Sequence, residues 1–218
     1  MRTFDGRAAT GTRKIGESAR STRVYRAPSP AEFIACLADA PCCAAILADQ
    51  HLDAALKSRA PILFILRGNG LELASMVRRI HDAGKFVAVH LDLVGGIRDD
   101  HVGVAWLARS EVDAIITSHG RLISVIREER VIAIERLLLS RRSSLDTAVG
   151  ALARSAPDII EVLPGVILPS IAHLMPRFAV PLLAGGFVRT PAEVRAILAT
   201  GAAGVTTSSR GLWEFDDS

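Results

Sequence analysis

Short apolar runs recur along this chain at a nearly even pitch, at residues 43–48, 62–66, 86–91, 114–117, 131–137, 159–163, 180–184 and 204–207. Each is four to seven residues long and aliphatic or β-branched, the composition of strands buried on both faces. Between the runs the apolar spacing turns helical, as in Leu71, Ala74, Val77 and Ile80, in Leu145, Ala148, Val149 and Leu152, and in Val194, Ile197 and Leu198. Pro28-Ser29-Pro30 supplies a cap and a start, which predicts a first helix over 31–40. Strand and helix alternating at this pitch imply βαβ units and a parallel sheet. Eight units in about 180 residues predict a closed (β/α)8 barrel of the TIM type, a small single domain over residues 28–218. An open doubly wound sheet would usually place Gly-x-Gly-x-x-Gly after its first strand, and the chain has none there.

Polar residues gather where the runs end: Asp49, His90, Asp92, Thr117, Ser118, Glu135, Arg136, Glu161, Gly185, Gly186, Thr207 and Ser208. A barrel collects all of these ends into one mouth, the usual seat of function.

Composition narrows the classes. Half of the residues are hydrophobic but only 5% are aromatic, so the core is aliphatic. No apolar run reaches the ~18 residues of a membrane span, and the first 27 residues lack the apolar core of a signal peptide. Three cysteines, Cys36, Cys42 and Cys43, fit buried thiols in a reducing cytoplasm. The net charge of +3 is concentrated in a basic arm. Residues 1–27 hold seven basic and two acidic groups, which leaves −2 on residues 28–218. Such an arm reads as a disordered leader or as a holder of phosphate backbones.

The strongest local signal is Val180-Pro-Leu-Leu-Ala-Gly-Gly186 followed by Ala203-Gly-Val-Thr-Thr-Ser-Ser209. Paired glycines after a strand let backbone approach a ligand closely. If residues 209–215 form a helix, its free N–H groups converge on the same spot and make a small-anion site over the last two strands. His90 and Asp92, two apart on one strand, face one side and could act as acid and base or hold ligand hydroxyls. Glu135 and Glu161 could do acid–base work, bind a divalent ion, or pair with Arg136. The chain has three lysines, none at a strand end, which disfavours a Schiff-base aldolase. No nucleophile with an adjacent base is visible, so the mouth reads as a ligand cup, without catalytic residues, metal or cofactor.

At these motifs the chain resembles the glycerol-3-phosphate-responsive antiterminator family of bacteria. The matching segments are Val89-His-Leu-Asp-Leu93, Gly103-Val-Ala-Trp-Leu-Ala108, Ala114-Ile-Ile-Thr-Ser118, Ile160-Glu-Val-Leu-Pro-Gly165, Leu183-Ala-Gly-Gly-Phe-Val-Arg189, and Val205-Thr-Thr-Ser-Ser209 with Leu212-Trp213. The resemblance implies a TIM-type barrel that binds glycerol 3-phosphate and acts on the leader RNA of a glycerol-utilisation transcript to prevent termination. It implies a ligand cup of His90, Asp92, Glu161, Gly185, Gly186, Thr207 and Ser208. The chain departs from the family pattern at Thr117-Ser-His-Gly120, which removes a cation near the mouth, at Glu135-Arg136, which adds an anion, and at Arg141, where the family usually has an Asp.

The first reading is therefore a ligand-responsive RNA-binding regulator, cytoplasmic, without membrane contact, and compatible with a homo-oligomer. Its ligand is glycerol 3-phosphate or a similar small phosphate ester, and its other partner is leader mRNA. Basic patches for RNA are Arg78-Arg79, Arg127 with Arg130, and Arg141-Arg142, beside the arm. A metal-dependent phosphodiesterase using Glu135 and Glu161 is the main alternative, and a metabolite-binding protein without RNA contact is the third.

Overall fold

The computed structural model describes residues 25–140 and 143–216. Most of the basic arm, and Arg141 with Arg142, lie outside the described residues. The eight apolar runs form eight strands: β1 (Cys42–Ile46), β2 (Ile62–Ile65), β3 (Phe86–His90), β4 (Ala114–Thr117), β5 (Ile132–Leu138), β6 (Ile159–Leu163), β7 (Leu182–Gly185) and β8 (Gly204–Thr207). Every neighbouring pair is parallel, and β8 returns to β1, closing the barrel. This is the TIM-type architecture that the alternation predicts.

The helices are α1 (Pro30–Ala35), α2 (Leu52–Lys57), α3 (Gly70–Asp82), α4 (His101–Arg109), α5 (Ile123–Glu128), α6 (Ser143–Ser155) and α7 (Pro191–Leu198). A 3-10 segment, Gly165–Arg177, stands where a helix would follow β6. Pro169 and Pro176 lie inside it, and a proline there removes the N–H that an α-helix needs. The predicted first helix over 31–40 is shorter, ending at Ala35. The seventh strand begins at Leu182, two residues later than its apolar run, because Pro181 has no N–H for the ladder.

Alternate residues of each strand divide the core. Outward side chains pack under the helices. Inward ones, among them Cys43, Phe64, Ala88, Ile116, Ile134, Ile159 and Leu183, fill the barrel. The Ser29 capping box starts α1, which closes the barrel floor with Phe33 and Leu37. At that end Tyr25 donates to the Val112 carbonyl and to Asp113, and its ring stacks on His81. His81 also bonds Asp113, and that hydrogen bond raises its pKa. The three cysteines are free thiols. Burial pushes Cys42 up to about 12, so it is an inert core residue.

Candidate functional site

The top layer of the barrel interior is polar. Arg136 of β5 and Glu161 of β6 are register partners, and Arg136 Nε donates to Glu161 Oε2 at 2.7 Å. The pair is deep, with side chains 14% and 2% exposed. Thr206 Oγ1 of β8 donates to the other oxygen, Glu161 Oε1, at 2.6 Å. Gly185, the register partner of Thr206, makes room for this network. A Cβ there would collide with Thr206 Oγ1 and lie 2.9 Å from Glu161 Oε1.

His90 ends β3 and is 1% exposed. Neither ring nitrogen has a hydrogen-bond partner among the described residues. Burial, reinforced by the charge of Arg136, holds its pKa down to about 4. The imidazole is neutral at pH 7 and offers one donor and one acceptor. Asp92 is not on the strand with it. It lies in the turn Leu91–Leu93 and is tied to the end of β4, accepting from Thr117 Oγ1 at 2.6 Å and from the Ser118 N–H at 2.8 Å. Burial would raise the pKa of Asp92, but these two hydrogen bonds outweigh it and hold the carboxylate below the ordinary range. Asp92 thus fixes the β3 and β4 ends to each other.

A cavity of about 280 Å³ opens above the network. Arg136, Glu161, Thr206, Gly186, Arg189 and Ser208 line it, with Leu66 and Leu163 as apolar wall. Gly186 has φ +81°, a left-handed conformation open to glycine, and it turns the chain across the lip. Ser208 is exposed at the rim. Thr207 points outward, donating to the Val188 carbonyl, so Thr206 is the hydroxyl that faces the cavity. The segment predicted as a helix over 209–215 is a 3-10 turn, Arg210–Glu214. The Ser209 N–H is already bound by Thr207 Oγ1, so this donor is not free for an anion.

Glu135 is a clear correction. It neighbours Arg136 in a strand, and strand side chains alternate in direction, so it points out of the barrel. It accepts from Ser155 of α6 and lies against Gly120. Glu135 and Glu161 stand on opposite faces of the wall and cannot share a metal ion, which removes the phosphodiesterase reading built on them. Arg136 pairs with Glu161, not with its sequence neighbour. The inward Thr206 and Arg189 also line the cavity, and nothing in the sequence singles them out from their neighbours. Neither described lysine is in the mouth: Lys57 ends α2, and Lys85 is held by the Ser58 and Ala60 carbonyls.

His90 makes a pH prediction. Its imidazole stays neutral in the fold, whereas an unfolded-chain His protonates near pH 6.5. Between about pH 6.5 and 4 the unfolded state therefore binds more protons, and this contribution to stability falls as pH falls, by up to about 1.4 kcal/mol per pH unit. His81 works the other way: its raised pKa contributes stability below about pH 6.5 that is lost as pH rises. The difference between the wild type and His90→Gln isolates His90. Urea unfolding across about pH 4.5–7.5 should show a shallower acid decline in the variant.

Comparison with known proteins agrees with the barrel architecture. A family model described as "Glycerol-3-phosphate responsive antiterminator" matches residues 42–213. The crystal structure of a glycerol uptake operon antiterminator regulatory protein from Listeria monocytogenes is 29% identical, with a TM-score of 0.75, over 79% of this chain and 94% of that one. A glycerol uptake operon antiterminator-related protein from Thermotoga maritima is 25% identical, with a TM-score of 0.73, over 81% and 99%. An uncharacterized Escherichia coli protein, YgcP, is 29% identical over 79% of this chain and 91% of its own.

Proposed function

The chain belongs to the glycerol-3-phosphate responsive antiterminator family, and from that membership we propose that it is a non-catalytic cytoplasmic sensor that binds glycerol 3-phosphate, or a similar small phosphate ester, in the barrel mouth and acts on the leader RNA of a glycerol-utilisation transcript. The observation that supports this most is the Arg136–Glu161–Thr206 network lining the cavity; His90, a neutral imidazole 1% exposed with both nitrogens unpartnered among the described residues, feels the charge of Arg136 but does not line the cavity. A buried polar group without a partner costs about 1–3 kcal/mol, and a ligand hydroxyl would satisfy His90 only by reaching past the residues that line the cavity. Glu161 and Arg136 present one acceptor and one donor edge to the other hydroxyl.

The phosphate takes the outer part of the cavity, at Gly186, Ser208 and Arg189. Among the described residues Arg189 is the cavity-lining guanidinium without an ion pair. Asp92 acts as a positioning residue that holds the β3 and β4 ends. Glu135 and Thr207 support the wall from outside. For the ligand to alter RNA affinity, it must bind one conformation or assembly of the protein better than another, because equal binding shifts nothing. Residues 28–218 carry −2, and RNA affinity comes largely from phosphate neutralisation, so the basic arm supplies part of the attraction.

Calorimetry with glycerol 3-phosphate tests the ligand, with glycerol and inorganic phosphate as controls and with divalent metal present and absent. Saturable one-site binding without metal, with neither half-ligand competing at equal concentration, is expected. No binding at millimolar concentration would exclude the ligand. Consumption of the phosphate ester during the titration would exclude the non-catalytic reading.

A further inference from the structure

A single nucleic-acid strand is held by bases stacked on aromatic rings and by cations along its backbone. Among the described residues the exposed Phe, Tyr and Trp side chains are Trp106 and Phe187. Trp106 sits on α4 in an apolar hollow with Leu71, Ile97 and Val102, and the arginine of that hollow, Arg98, is paired with Asp100. Phe187 is different. It has φ +62°, a conformation costly for a bulky residue, and it stands 72% exposed at the lip of the ligand cavity.

The strands β7, β8, β1 and β2 follow one another around the barrel. Their loops place Phe187, Arg210, Leu47 and Arg67 along one arc of the rim. Arg210 and Arg67 are exposed and make no ion pair among the described residues. Leu47 lines both the ligand cavity and an adjoining hollow of about 410 Å³ that contains Arg67, with Asp49 as its carboxylate. Elsewhere Arg79 is paired with Asp53, Arg127 with Asp158, and Arg121, beside His119, with Asp99, whereas Arg78, Arg109 and Arg130 stand on or just after helices of the outer shell, away from the strand ends that form the rim.

We propose that single-stranded RNA crosses the rim along this arc, one base stacked on Phe187 and its phosphates on Arg210 and Arg67, so that the strand lies over the ligand cavity. The inference rests on the RNA reading above and adds the place of contact. It also gives that reading a mechanism. A ligand under the strand leaves slowly while RNA is bound, and each raises the affinity of the other by the same factor.

The test uses the full chain and an RNA selected from a random pool in the presence of glycerol 3-phosphate, titrated at saturating ligand over a salt series. Phe187→Ala should bind about 5- to 100-fold more weakly, the range for one lost base stack, and Phe187→Tyr should bind as the wild type does. Arg67→Ala should lower the salt slope by about 0.7, one phosphate contact on a single strand. The selected RNA should also slow glycerol 3-phosphate dissociation. If RNA binds but Phe187→Ala and Arg67→Ala leave affinity and slope unchanged, the location is wrong and the RNA reading stands. If selection enriches no RNA, both fall. A dimer that depends on Phe187, with RNA affinity unchanged, would assign the arc to a second copy of the chain and overturn the proposal.

Discussion

Gly185→Ala is expected to weaken glycerol 3-phosphate binding by about 100-fold or more, equivalent to ~2.7 kcal/mol. The reason is local. The new Cβ would occupy the space of Thr206 Oγ1 and press on Glu161 Oε1. Both atoms are in β-ladder positions, so neither strand can move away cheaply. Relief must come from the side chains, and the Thr206 hydroxyl must rotate off the carboxylate. A hydrogen bond to a charged group contributes about 1.5–3 kcal/mol, so the fold should lose about 2 kcal/mol in denaturant unfolding. Arg136, left with a displaced partner, no longer presents its guanidinium at the cavity floor. Gly211→Ala is the control, since nothing lies within 4 Å of a Cβ there, and it should change neither stability nor affinity. Wild-type affinity in Gly185→Ala would show that the ligand is not held over this network.

The same strand geometry explains what was and was not legible in the sequence. Strands buried on both faces must be apolar throughout, so the runs announce themselves, and their pitch leads to the barrel. Continuous apolar runs carry no alternation, however, and alternation is what tells inward from outward. The two residues before Ser208 are both threonine, so nothing local selects Thr206 over Thr207. Glu135 and Arg136 raise the same ambiguity: one enters the barrel and the other leaves it, and proximity in sequence suggests a pair that the wall forbids. Position along the strand fared better than direction. His90 and Gly185 end their strands and Gly186 follows at once, as expected, whereas Glu161 lies two residues below the end of β6. Two residues on from His90, Asp92 reads as a residue of the same strand, but the strand stops at His90. The following turn then carries Asp92 toward β4, where Thr117 and the Ser118 N–H receive it.

Arg136→Met is expected to destabilise the protein by about 3–5 kcal/mol, the cost of leaving one member of a buried ion pair without the other. Glu161 is 2% exposed and would keep only the Thr206 hydroxyl. Against the ~5–15 kcal/mol that stabilises a typical domain, this is the largest single-site loss expected at the mouth. The double variant, Arg136→Met with Glu161→Gln, removes both charges, and a hydrogen-bonded amide beside a methionine needs no counter-ion. Its stability in urea should return to within about 1 kcal/mol of the wild type, because a buried pair contributes little net stability over neutral groups that fill the same space. Its affinity for glycerol 3-phosphate should stay lost. Recovery of stability without recovery of binding would mean that the pair is retained for the ligand, since the fold can do without it. A double variant as unstable as Arg136→Met would instead make the pair a part of the barrel's own framework, and the ligand would then have to be sought on the Gly186, Ser208 and Arg189 side of the cavity alone.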